Sequence, residues 1–151
     1  MRLLTEVHVR KIKDKLDLLE RYHGELVDDL PDYDSFVSER LTRRGIEKTI
    51  ELIADAVVDV AMILISAKGW EKPTEAAGTA RVLAQQKVLS VHLSEKIQNL
   101  IRFRNLLVHQ YVKVDDEKEY EVLAENHTDV IEFVTAVELF LRKQLVRAKK
   151  K

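Results

Sequence analysis

The chain has 151 residues, no cysteine and a formal net charge of −1. Disulfides, thiol catalysis and cysteine-based zinc sites are excluded, and there is no chain-wide basic field, so any contact with nucleic acid must come from a local patch. With 46% apolar residues, four Gly and two Pro, the composition reads as one all-α domain over 1–151, long enough to bury a core without staples.

The amino terminus, from Met1 to Glu6, lacks the apolar run of a signal peptide. The longest apolar run, Ala56 to Ile65, is interrupted by Asp59. It is too short for a membrane span and reads as a buried helix. A soluble cytoplasmic protein without membrane attachment is expected.

Val9, Ile12, Leu16, Leu19, Leu26 and Leu30 recur at helical spacing and predict a first helix ending before Pro31. Asp34 or Ser35 can cap a second helix, from about Phe36 to Ala67, with a bend near Gly45. Gly69 to Pro73 ends it. Thr74 can cap a third helix through about Lys87. A fourth covers about Ser90 or Glu95 to Gln110, followed by a link from Val112 to Asp115. Asp116 can cap a small helix and Thr128 a last one. The lysines at 149–151 form a frayed tail. Short joints between such helices predict an antiparallel bundle of about four to six helices.

The fourth helix carries the most informative segment, Arg104 to Tyr111. It holds a permanent cation, an amide, an imidazole and a phenol. Arginine grips phosphate with a fixed fork of donors, and an imidazole can move a proton near neutral pH. That combination suits phosphodiester chemistry without a metal or other cofactor. At about 100° per residue, Ile97, Leu100, Ile101, Phe103, Leu107 and Val108 share an apolar face. Arg102, Asn105 and His109 share the wet one. Arg104 points into the apolar face, about 140° from His109. A charge there is costly unless paired, so Arg104 is expected to meet a carboxylate, a protein–protein seam, or both.

Glu51, Asp55 and Asp59 recur every fourth residue and form an acidic stripe on the second helix. Either the stripe faces solvent, or it orients Arg104 or an arginine of a second subunit. Arg40, Arg43, Arg44 and Lys48 cluster near the start of that helix. They are a solvated face or the local patch that RNA would need. Arg142, Lys143 and Arg147 make a second basic end. Glu20 and His23 have the spacing used by di-iron bundles, but one copy does not make a site. Trp70 beside Pro73 reads as a loop anchor.

Arg104, four intervening residues and His109, with polar Asn105 directly after the arginine, resemble the signature of the HEPN superfamily. Tyr111, two residues after His109, narrows the resemblance to the HepT-like group. So do Arg43, Arg44, Gly45, Ile46, Glu47 and Lys48 ahead of an apolar helix, and Asp115 with Asp116 after the motif. The resemblance covers roughly Arg40 to Leu123. It implies an α-helical bundle that dimerises with its motif helices facing each other. It also implies a metal-independent endoribonuclease acting as a toxin, paired with a small nucleotidyltransferase antitoxin that silences it by adding AMP to Tyr111.

Under that resemblance Arg104, Asn105 and His109 are the catalytic candidates. Arg102 also fits the loose spacing and is expected as an auxiliary phosphate contact, together with Arg43 and Arg44. DNA, which lacks the 2′-hydroxyl, is not an expected substrate. The same residues would equally serve a non-catalytic interaction module that partners a nucleotidyltransferase or binds a nucleotide.

Overall fold

The computed structural model describes residues 2–109 and 115–149, with side chains through 145. The described residues form seven α-helices: α1 Glu6–Asp29, α2 Tyr33–Ser38, α3 Arg40–Lys68, α4 Gly78–Gln85, α5 Val91–His109, α6 Asp116–Glu125 and α7 Thr128–Lys149. The expected all-α bundle is the observed fold. Among these helices none is long and apolar enough to cross a membrane.

The helix ends follow from local chemistry. Thr5 and His8 form a capping box: the Thr5 hydroxyl accepts from His8 N, and His8 Nδ1 accepts from Thr5 N, both at 3.2 Å. Asp32, not Asp34 or Ser35, caps α2 by accepting from Ser35 N at 2.8 Å. Ser90 Oγ accepts from Leu93 N at 3.0 Å, so α5 takes the earlier of its two expected starts. Asp115 rather than Asp116 caps α6.

Two expected boundaries differ. The expected helix from Phe36 breaks at Glu39 (φ −95°, ψ 86°), whereas Gly45 is passed without interruption. On one straight helix Phe36 and Ile46 would diverge by about 80°. The break lets both be buried, Phe36 beneath Tyr120 and Ile46 in the main core. Thr74 caps nothing. Tight turns formed by Gly78 N to Glu75 O and Thr79 N to Ala76 O delay α4 until Gly78. A Cβ at Gly78 would lie 2.8 Å from Pro73 Cβ, so a glycine is needed there.

α3 is the central rod, packed by α1, α4 and α5, and α7 closes against α1 and α5. Ile53, Val57, Val60, Leu64, Leu16, Leu19, Ile97, Phe133 and Val137 are buried along these seams. Truncating any of the large ones costs about 2–5 kcal/mol. Trp70 anchors its loop against Phe140, ring centroids 6.1 Å apart.

α6 is fastened differently. Arg43 of α3 lies over the Phe36 ring at 4.8 Å and pairs with Asp116 at 2.7 Å and with Glu119. Glu119 is fully buried. Burial pushes its carboxyl up to about 8, Glu47 adds to the rise, and Arg43 opposes it. Tyr120 donates to the Pro31 carbonyl at 2.6 Å. Where α6 joins α7, His23 of α1 and His127 approach ring nitrogen to ring nitrogen at 3.0 Å. Burial and the neighbouring ring hold His23 below the usual histidine range.

Candidate active site between α3 and α5

Arg104 reaches from α5 toward α3, where the helical wheel sends it. Its Nε lies 3.2 Å from Asp55 Oδ1. The buried Nε makes no aligned hydrogen bond, so the attraction is coulombic rather than directional. Nη1 donates to Asn105 Oδ1 at 3.2 Å. Asn105 is half-buried beside Arg104, not standing in water with Arg102 and His109 as the wheel alone suggested.

These groups edge an open hollow of about 440 Å³, lined by Ala54, Asp55, Val58, Asp59, Ala76, Ile101, Arg104 and Asn105. Ala54 and Ala76 are too short to fill the space between α3, α5 and the lead-in to α4. The guanidinium is held at its Nε edge and retains 26% side-chain exposure. A fork held that way offers its far edge to an anion.

The acidic stripe divides its work. Asp55 faces Arg104, and Asp59 takes Lys15 of α1, Nζ to Oδ2 3.1 Å. Glu51 pairs with Lys48 at 3.4 Å. Lys15 was not legible as a site neighbour, because nothing in its local pattern says which helix α1 packs against.

His109 is the last residue of α5 and is exposed. It is not among the residues lining the hollow. Val108, expected on the apolar face, is 40% exposed, as is Leu106 at 46%. The end of α5 therefore carries two apolar side chains outward beside His109. Tyr111 lies outside the described residues, as do Gln110 and the link at 112–114.

The auxiliary arginines separate. Arg102 is exposed and contacts Asn99 Oδ1 and Gln98 Oε1, both at 3.4 Å. Arg44 is exposed at the surface of α3. Arg43 is a correction: it is committed to Asp116 and Glu119 beneath α6 and is not presented to a phosphate. No group of three or more metal-ligating side chains occurs among the described residues. A second, more enclosed hollow of about 220 Å³ lies between α5, α6 and α7, with Lys96 and Asp129 paired at its edge. It contains neither Arg104 nor His109.

A family model described as HepT-like, "Ribonuclease HepT-like", matches residues 12–137. The chain belongs to the HepT-like family. Solved structures share its fold. A tri-AMPylated HEPN toxin of Shewanella oneidensis, in complex with its MNT antitoxin, superposes with a TM-score of 0.82 at 16% identity, covering 90% of this chain and 99% of that one. A toxin–antitoxin structure with AMP-PNP gives 0.80 at 16% identity, covering 85% and 97%. The Bacillus subtilis protein YutE, described as a cytosolic protein of unknown function, gives 0.80 at 19% identity, covering 96% of both chains. No curated protein matches. In this HepT-like chain, Arg104, Asn105 and His109 occupy the final two turns of α5, with Asp55 supplied from α3.

Proposed function

We propose that this HepT-like protein is a metal-independent endoribonuclease, the toxin half of a toxin–antitoxin pair. The observation that carries the reading is the α3–α5 hollow, where a guanidinium steadied by Asp55 and Asn105 opens to solvent little more than one turn before an exposed histidine.

The reaction needs little covalent participation by the protein. The ribose 2′-oxygen attacks the adjacent phosphorus, the bond from phosphorus to the 5′-oxygen breaks, and the products are a 2′,3′-cyclic phosphate and a 5′-hydroxyl. His109 takes the proton of the 2′-hydroxyl or gives one to the departing 5′-oxygen. Arg104 holds the phosphate and stabilises charge growing on its non-bridging oxygens. Asn105 positions Arg104, Asp55 fixes its Nε edge, and Arg102 and Arg44 are auxiliary contacts for the RNA backbone.

Two copies facing each other across α5 would complete the site. Exposed Leu106 and Val108 beside His109 support that seam. A second chain would bring its own histidine toward the first chain's hollow, so acid and base could come from different subunits. The antitoxin is a small nucleotidyltransferase, the counterpart of the MNT antitoxin in the S. oneidensis complex. Addition of AMP to Tyr111 would set a bulky anion among the site's cations and exclude RNA. A cytoplasmic location belongs to the same reading.

The test is incubation of the purified protein with RNA in EDTA, wild type against His109→Ala. Cleavage by the wild type and none by the variant is expected. Equal cleavage by both would remove the assignment. One observation favours a second reading, a non-catalytic module that presents Tyr111 to a nucleotidyltransferase: within one chain, His109 does not line the Arg104 hollow. That reading predicts AMP transfer without any RNA cleavage.

A further inference from the structure

The polar face of α5 carries a second cationic feature, absent from the hollow. Arg81 of α4 and Arg102 of α5 both direct an Nη2 to one acceptor, Gln98 Oε1, each at 3.4 Å. Two guanidinium groups thus meet on a neutral oxygen, where like charges ordinarily separate. Neither forms an ion pair with a carboxylate among the described residues, and both are exposed.

The acceptor is held from beneath. Gln98 Nε2 donates to Ser94 Oγ at 3.1 Å, and Ser94 Oγ, itself buried, donates to the Ala80 carbonyl at 2.9 Å. With its amide nitrogen committed inward, Gln98 must turn its carbonyl oxygen outward. The chain from Ala80 through Ser94 to Gln98 also links the two helices that supply the arginines. Contacts at 3.4 Å to a neutral amide are long and weak. A phosphate oxygen would replace them with shorter, charge-assisted ones.

Position adds direction. At about 100° per residue, Gln98, Arg102 and His109 fall within an arc of about 40°. They form one stripe down α5, and Arg102 stands about 10 Å along the axis from His109. A strand whose phosphate lies at His109 along this stripe passes over the arginine pair within a few nucleotides.

We propose that Arg81 and Arg102, gathered on the Gln98 carbonyl, form a second clamp for a backbone phosphate of single-stranded RNA lying along α5. This rests on the ribonuclease reading for the identity of its ligand. It explains how a chain of net charge −1 gathers local positive charge after Arg43 has been spent inside the fold.

The experiment measures binding of a 2′-O-methyl single-stranded oligonucleotide of about 12 nucleotides, which cannot be cleaved, as salt is raised. Wild type, Arg81→Ala, Arg81→Ala with Arg102→Ala, Gln98→Glu and a control, Arg10→Ala at an exposed position of α1, are compared. Cleavage of the matching 2′-hydroxyl strand by wild type is scored in parallel. Loss of the neutralisation of one phosphate flattens the slope of log affinity against log salt by about 0.7. The double variant is expected to show that flattening with a several-fold loss of affinity, and Arg10→Ala to match wild type. Gln98→Glu keeps the side chain's shape while occupying both arginines with a carboxylate, and is expected to weaken binding similarly. If wild type binds but the double variant and Gln98→Glu both keep its slope, the clamp is overturned, the pair is left for an acidic protein surface, and the cleavage result stands independently. If wild type binds no strand even at low salt, clamp and RNA reading fall together.

Discussion

Arg104 and Asp55 meet across α5 and α3 with Nε 3.2 Å from Oδ1, and that contact fixes which edge of the guanidinium faces the hollow. Arg104→Lys keeps the charge and discards the fork. RNA cleavage is expected to fall by about 10²–10³-fold. Asp55→Asn keeps the shape and removes the charge that steadies the fork, and a loss of roughly tenfold is expected, since small misplacements are costly in rate. Single-turnover cleavage of a defined strand measures both. Full activity in Arg104→Lys would mean that charge alone matters.

His109 sits on the surface at the end of α5, so its removal tests chemistry apart from folding. His109→Ala is expected to lower cleavage by at least about 10²-fold with an unchanged melting temperature. A variant that melts early would show the histidine to be structural.

Arg43 gives the opposite pattern. Arg43→Ala leaves the buried Glu119 carboxyl without its hydrogen-bond partner and frees the start of α6, at a cost of about 1–3 kcal/mol. Arg44→Ala, one residue on and exposed, is expected to leave stability unchanged. Urea denaturation separates the two, and equal stabilities would contradict the clamp beneath α6.

Glu119 and His23 set a pH optimum for stability. The carboxyl at Glu119 keeps its proton in the folded state up to about 8, whereas in the unfolded chain it loses it near the ordinary value of 4.5. The folded state therefore binds more protons in that window, and stability declines as pH rises from 4.5 through 8. His23 is shifted the other way. The unfolded chain binds its proton first, so acidification below the usual value of 6.5 also lowers stability. Melting temperatures should be lower at about pH 9 than at about pH 6.5. Glu119→Gln, a permanent mimic of the protonated form, should flatten the alkaline limb. An unaltered alkaline limb in that variant would assign the effect elsewhere.

Gly24 and Gly45 lie inside α1 and α3, and nothing stands within 4 Å of where a Cβ would be. Alanine at either position is expected to add about 0.5–1 kcal/mol, because glycine loses more backbone freedom on folding. Calorimetry would read this as a rise in melting temperature. Destabilisation by Gly45→Ala would show that α3 needs a glycine at this position for a reason other than space.

Periodicity made the helices and the inward turn of Arg104 legible, because both follow from about 100° per residue. The break at Glu39 was not, since it is imposed by where Phe36 and Ile46 must be buried, a tertiary demand. Asp55 was readable as a partner because a carboxylate on an apolar helix needs a reason to be there. Its neighbour Asp59 has the same spacing but belongs to Lys15, and only packing distinguishes them. Arg43 misled for a similar reason: two adjacent arginines look alike in sequence, yet one of them lies beneath α6. The Arg81–Gln98–Arg102 cluster joins two helices, so no stretch of chain could announce it.

Ala76 forms part of the rim of the Arg104 hollow while remaining exposed. The mouth of the cleft is thus kept wide by a methyl group that supports nothing above it. Its breadth can be adjusted without disturbing any ion pair, and a bulky ring at that position would act as a permanent stopper. A plugged form of this kind would separate what enters the cleft from what the cleft does.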